Sequence, residues 1–316
     1  MGLQEAVMWL RTNQLPCGAL PVSSVNRNPY PEVTAYCLPT LSEVGEHQMV
    51  ERAVIWLLQV QTGDGYWPGS DMTTPFWFDT AVVAGSLLSL ASREESYAGS
   101  CRRAVIRAVS WLERYCGPSW PPVRAVHHDR QVPQEINLLG LTMLKEFPRL
   151  SSSLDRWLSD SSLPSSAGKM QHFYCYLVEA IADVKPGWAW RIAGRYARAQ
   201  DQDGAVCAYY TDRPSGRVIG TTTWRCFPAV AQWAALWARL GYPSAARRAL
   251  AFLEARQRLS GGLTGGDGPY FADEEVTWAL KYYLDAHLRL AEADTHCRTQ
   301  RPMDRVAARG GPACAS

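Results

Sequence analysis

The sequence predicts an all-α chain folded as an α/α toroid, in which inner and outer helices alternate around a central cavity. Three observations lead there. One short pattern recurs along the chain, the apolar residues follow a helical period, and several helices are apolar on nearly every side.

The recurring pattern is "AVIWLLQVQTGDGYW" from Ala53 to Trp67, the end of an apolar helix followed by a Gly-rich turn. Laid on "AVMWLRTNQLPCGAL" from Ala6, Trp9 falls on Trp56, Gln14 on Gln61 and Gly18 on Gly65, a shift of 47 residues. "RYARAQDQDGAV" repeats the spacing with Gln200 and Gly204, and "FLEARQRLSGGL" with Gln257 and Gly261, Phe252 taking the Trp position. "AVSWLERY" at Ala108 repeats the helix without the Gln or the Gly. The steps between copies imply five to six helical hairpins, the middle ones degraded. A Gly just past a helix takes the left-handed conformation that closes it. The Gln amide reaches orphan carbonyls of that end or of the neighbouring turn, and an aromatic such as Trp67 covers it. Each copy is expected to staple one hairpin to the next, a structural task rather than a catalytic one.

The helices follow in order. Glu46–Val60 places Val50, Ala53, Val54, Leu57 and Leu58 near the 3.6 period. Thr80–Leu90, Ala229–Leu240 and Val276–Leu290 are apolar almost throughout, as the inner ring of a closed array requires. Ser151–Lys169 is Ser-rich but carries Leu154, Trp157 and Leu158, and reads as a connection with a short helix. Residues 1–295 read as one toroid domain, and 296–316, rich in Arg, Ala, Gly and Pro, as a disordered tail. An open α-solenoid uses similar helix pairs; the buried-looking inner helices and long irregular loops favour the ring.

Composition narrows the function classes. The chain has 316 residues, 47% of them hydrophobic, enough to bury a large core. A formal charge of +2 and no dense Lys/Arg stretch with interleaved aromatics argue against a nucleic-acid partner. No apolar run has the length of a membrane span, and no signal peptide is evident. Nine scattered cysteines without CxxC pairs fit reduced thiols and a cytoplasmic location. Thirteen Trp and fourteen Tyr are enough to line a cavity as well as fill a core.

"QTGDGYW" is similar to the repeated Gln-to-Trp motif of squalene–hopene cyclases, within the α/α-toroid superfamily of terpenoid cyclases and protein prenyltransferase β-subunits; "QDQDGAVCAYY" and "RQRLSGGLTGG" are looser versions. "PYPEVTAYCLPTL", "FDTAVVAGSL", "AVAQWAALWARL" and "GGLTGGDGPYFADEEVTWALKYYLDA" resemble an uncharacterised bacterial group of this toroid. Its members sit among polysaccharide-biosynthesis genes and carry prenyltransferase or squalene-oxidase repeat descriptions. Where that group has Gly after the first segment's Thr and Gly-Gln after the second's Asp-Thr, this chain has Ala35, and Ala81 with Val82. The resemblance implies the toroid fold. Together with aromatic walls, whose π faces stabilise carbocations, it favours a cyclase or isomerase acting on a lipid-like isoprenoid; the alternative is an epimerase or lyase acting on a sugar or uronate. The Asp-x-Asp-Asp acid of class II terpene cyclases is not written in this chain; "DQD" at Asp201–Asp203 is the nearest string and lies in a turn. A zinc set like that of the prenyltransferases would draw on Asp203, Cys207 and His172, which lack ligand spacing, so no metal and no cofactor are expected.

The candidate catalytic residues are Glu32, Asp79 and His172. Glu32, in "NPYPEVTAY", either enters a cavity, where burial would raise its pKa towards that of a working acid or base, or only offsets a helix dipole. Asp79 and Thr80 read as N-cap residues opening an apolar helix at a rim that faces the cavity. His172 and Tyr176 share a face at i, i+4. The substrate-binding candidates are Tyr30, Tyr36, Thr80, Tyr176, Tyr270, Trp278, Lys281 and Asp285, the last two also able simply to pair with each other. The Gly-rich loop Gly261–Gly268 before Tyr270 lacks the spacing of a phosphate-binding fingerprint. The expected partner is a small molecule or an oligosaccharide, and a non-catalytic toroid that binds a glycan or a protein is the alternative to an enzyme.

Overall fold

In the computed structural model the described residues are 2–117, 133–159, 165–213 and 215–307, with backbone course alone from residue 296 onward. They form α1 (Leu3–Asn13), α2 (Pro31–Glu43), α3 (His47–Val60), α4 (Trp77–Ala91), α5 (Glu95–Leu112), α6 (Asn137–Met143), α7 (Pro148–Leu158), α8 (Gln171–Val184), α9 (Pro186–Ala199), β1 (Tyr210–Asp212), β2 (Val218–Gly220), α10 (Phe227–Arg239), α11 (Pro243–Glu254) and α12 (Thr277–Ala307). Even-numbered helices touch one another in sequence, and α12 returns to α2, so the inner ring is closed. Each inner helix from α2 to α10 packs on the outer helix that follows it, and α12 packs on α1. The first and last helices thus make the sixth hairpin. The α/α toroid is observed, and the open solenoid is not.

The burial pattern explains the alternation. In α4 every residue from Asp79 to Leu87 is buried, as an inner helix wrapped on all sides must be. In the outer α3, Val50, Ala53, Val54 and Leu57 are buried while Ile55 is exposed. Ser151–Lys169 carries the expected short helix, since the outer helix α7 runs to Leu158; residues 160–164 lie outside the described set. Of the tail, α12 continues as helix to Ala307, and residues 308–316 lie outside the described set.

The Gln–Gly turns follow four outer helices and perform the stapling task. Gln14 Nε2 donates to the carbonyls of Gly18 at 2.8 Å and of Met49, in α3, at 2.9 Å. Gln61 does the same to Gly65 and Ala104, Gln200 to Gly204 and Ala245, and Gln257 to Gly261 and Gly2. Each amide therefore reaches the next outer helix round the ring. The glycines hold φ between 90° and 100°, and a Cβ at Gly65 would stand 2.4 Å from the Arg107 carbonyl. Arg52, Arg107 and Arg248 complete the first three staples by donating to the Gln Oε1 atoms. At the seam Glu5 occupies the corresponding place, and Gln257 Oε1 has no hydrogen-bond partner among the described residues.

The connections differ between the two rims. Outer-to-inner connections are long, such as 61–76 and 200–226; inner-to-outer ones are short, such as 44–46 and the single residue Lys185. The long loops and the N-termini of the inner helices therefore share one rim, the usual place for function on a rigid scaffold.

Candidate functional site

At that rim a cavity of about 400 Å³ opens down the axis, a volume typical of small-molecule sites. The inner helices present their first turns to it. Glu32 is the second residue of α2, with Pro31 preset at the helix start; Trp77 and Asp79 lie in the first turn of α4, Asn137 opens α6, His172 is second in α8, and Trp278 second in α12. Loops add Asn26, Tyr30, Ser70 and Gln134, then Tyr270 and Phe271. Phe271 holds the left-handed region at φ 46°, a costly conformation for an aromatic residue, and packs edge-on against Trp278 at 5.2 Å.

Glu32 and Asp79 are 8% and 5% exposed, and among the described residues neither forms an ion pair. Burial, reinforced by repulsion from Asp79 and eased by Lys281, pushes Glu32 up to about 8. Burial pushes Asp79 up to about 7, opposed by the Tyr30 hydroxyl, which donates to Oδ2 at 3.0 Å and favours the carboxylate. Burial thus holds both carboxyls above the ordinary carboxylate range. His172 is 3% exposed; burial lowers it to about 4, so its ring is neutral. Its Nδ1 lies 2.8 Å from Gln232 Oε1 and its Nε2 3.5 Å from the Tyr176 hydroxyl. Trp278 lies nearly parallel to the His172 ring at 6.4 Å.

Among the residues singled out from the sequence, the structure brings Tyr30, Glu32, Asp79, His172, Tyr176, Tyr270 and Trp278 to this cavity. The other four do not line it. Thr80 is a buried brace, its hydroxyl bonded to the backbone N–H and carbonyl of Trp67; because α4 starts at Trp77, Asp79 and Thr80 lie inside its first turn and are not caps. Tyr36, Tyr176 and Tyr282 pack edge-to-face beneath the cavity, and Tyr36 donates to Glu179 at 3.1 Å. Lys281 pairs with Asp285 at 2.7 Å and lies over the Tyr36 ring, while Thr40 donates to Asp285. Asp285 instead lines a second cavity of about 90 Å³ near the opposite rim, with Glu179, Gln232 and Tyr282. Asp201 and Asp203 face Arg225, at 3.1 and 3.9 Å. Of the residues a zinc set would draw on, His172 is bonded to Gln232 and Asp203 faces Arg225, and among the described residues no three ligand-type side chains are grouped.

The sequence reading missed Asn26, Ser70, Gln134, Asn137, Phe271 and Gln232. Gln232 carried a signal, since one amide inside the apolar run "AVAQWAALW" needs a buried partner.

No protein-family model and no curated protein matches the chain by sequence. Solved structures match by shape. An alpha-amylase from Clostridium perfringens superposes with a TM-score of 0.67 at 10% identity, over 92% of this chain and 98% of that one. A glycosidase in complex with glucose gives 0.63 at 13% identity, over 92% and 96%. The cellobiose 2-epimerase of Spirochaeta thermophila gives 0.61 at 13% identity, over 92% and 96%. These likenesses establish the α/α-toroid fold. They support the toroid part of the resemblance read from the Gln–Gly repeats and leave its terpenoid-cyclase subtype without support. No helix of the described residues is long and apolar enough to cross a membrane.

Proposed function

We propose that the cavity processes a sugar by acid–base chemistry, with Glu32 as proton donor and Asp79 as base or nucleophile. The observation that carries this reading is the pair of buried carboxyls, both raised by burial and both lining one cavity. Glycoside hydrolysis uses such a pair. The Glu32 carboxyl protonates the leaving oxygen as its bond to the anomeric carbon breaks; Asp79, held by Tyr30, activates water or attacks that carbon. The N-termini of the surrounding inner helices favour the negative charge left behind. The lining suits a sugar: aromatic rings from Tyr176, Tyr270 and Trp278 for its apolar faces, and Asn26, Ser70, Gln134 and Asn137 for its hydroxyls. The shape-matched glycosidase, amylase and epimerase weigh in the same direction.

A second sugar reading rests on His172. A neutral imidazole in the cavity is the right base for removing a proton beside a carbonyl, as an epimerase or lyase requires. The isoprenoid reading is weaker, because polar amides and carboxyls interrupt the aromatic wall that a carbocation needs. Convergence of Glu32, Asp79 and His172 on one cavity favours an enzyme over a binding toroid.

The test is incubation in D₂O with di- and oligosaccharides, reducing sugars, uronate oligosaccharides and polyprenyl diphosphates, followed by NMR. New reducing ends report hydrolysis, and deuterium beside a carbonyl reports epimerisation. Glu32→Gln and Asp79→Asn should abolish turnover. Full activity in Glu32→Gln, or turnover of the diphosphates alone, would overturn the assignment.

A further inference from the structure

We propose that Gln232 is a positioning residue that holds His172 in its Nδ1-protonated tautomer, so that an unprotonated Nε2 faces the sugar cavity. The inference rests on the sugar-processing reading only for its meaning in catalysis; the tautomer itself stands on the geometry. Gln232 comes from α10 and is 2% exposed. Its Oε1 meets His172 Nδ1 at 2.8 Å, and an amide oxygen only accepts, so the proton lies on Nδ1. Nε2 is then left with its lone pair on the side of the Tyr176 hydroxyl, 3.5 Å away.

The orientation of the amide has a reason at its other end. Gln232 also lines the small cavity at the opposite rim, with Glu179 and Asp285 and with Arg239 and Arg289, and its Nε2 has no hydrogen-bond partner among the described residues. The NH₂ is thus on the side of a cavity whose carboxylates can accept from it, and the carbonyl is on the side of the ring.

Among the described residues, the rings packed around His172 are uncharged aromatics. Tyr176, Tyr270, Trp278 and Tyr282 surround it at 5.0 to 6.4 Å, and Glu32 and Asp79 share the cavity with it. A neutral Nε2 acceptor in this setting can receive a hydrogen bond from a sugar hydroxyl, or a proton from carbon in the epimerase variant.

Long-range ¹H–¹⁵N NMR of the full-length protein reads the tautomer without any substrate, with His172→Gln assigning the signals. The expected spectrum has a protonated-type shift at Nδ1 and an unprotonated-type shift at Nε2. Gln232→Glu keeps the acceptor, so it should keep the tautomer and raise the ring's pKa. Gln232→Leu should scramble or invert the tautomer and, if sugar turnover is found, lower kcat about 10-fold or more with a smaller change in KM. A wild-type ring protonated at Nε2, or a Gln232→Leu ring unchanged from wild type, would overturn the proposal. Absence of sugar turnover would count against the function alone, because the NMR result does not depend on it.

Discussion

The Tyr30 hydroxyl donates to Asp79 Oδ2 at 3.0 Å, joining the loop before α2 to the first turn of α4 across the mouth of the cavity. A hydrogen bond to the charged form favours ionisation, so it holds Asp79 below the value burial alone would give. Tyr30→Phe should therefore raise the Asp79 pKa above about 7 and leave less carboxylate at neutral pH. The acid limb of the pH–rate profile moves to higher pH, and kcat/KM at pH 7 falls roughly 10-fold. An unshifted limb would show that Tyr30 does not tune Asp79.

Stability should fall as pH rises through the neutral range. Glu32 and Asp79 titrate higher in the folded chain than in the unfolded one, so between the ordinary carboxyl value and about 8 the folded state binds more protons. Their favourable contribution is fully present below the unfolded pKa and is lost progressively up to about 8. The Tm measured from pH 7 to pH 9, above the range in which the buried His172 titrates in either state, should decline, and Glu32→Gln should flatten that decline and melt higher than wild type at pH 9.

The Gln–Gly staple makes a paired prediction. Gly65→Ala forces a β-carbon into the Arg107 carbonyl at φ 100° and should cost about 2 kcal/mol or more. Gly63→Ala, two residues away, meets nothing within 4 Å and should stay within about 0.5 kcal/mol of wild type. Urea denaturation of both variants checks the contrast.

The seam makes another. Trp9 Nε1 donates to Glu275 Oε2 at 2.6 Å, and Ser260 holds the second oxygen of the same carboxylate, which is 7% exposed. Trp9→Phe preserves most of the packing but removes one donor from a buried charge, a loss of about 1.5–3 kcal/mol. Limited proteolysis should then cut first within α1, and cleavage elsewhere would assign the weak point to another hairpin.

Much of the ring is legible in the chain. Gln14, Gln61, Gln200 and Gln257 mark helix ends because one amide answers two carbonyls and a glycine must follow where the next helix approaches. The copies missing after α5 and α7 leave no such mark, so the number of hairpins could be read only as five to six. Glu32 is legible because prolines frame a carboxylate ahead of an apolar helix. Lys281 and Asp285 mislead because spacing gives the face of a helix but not the depth along the barrel axis, and both lie beneath the tyrosine floor. Asn137 and Gln134 are hidden for the same reason in reverse: only the ring's closure brings α6 and its preceding loop to the mouth.

Because Gln257 grips the carbonyl of Gly2 and α12 lies against α1, the circle is completed by residues more than two hundred positions apart in the chain. The growing chain must keep an unsealed stack of hairpins, its inner faces open, until α12 has been made. Truncation after α11 would therefore leave not a smaller barrel but a gap with two bare flanks, and a chaperone-dependent or aggregating product is the expected result.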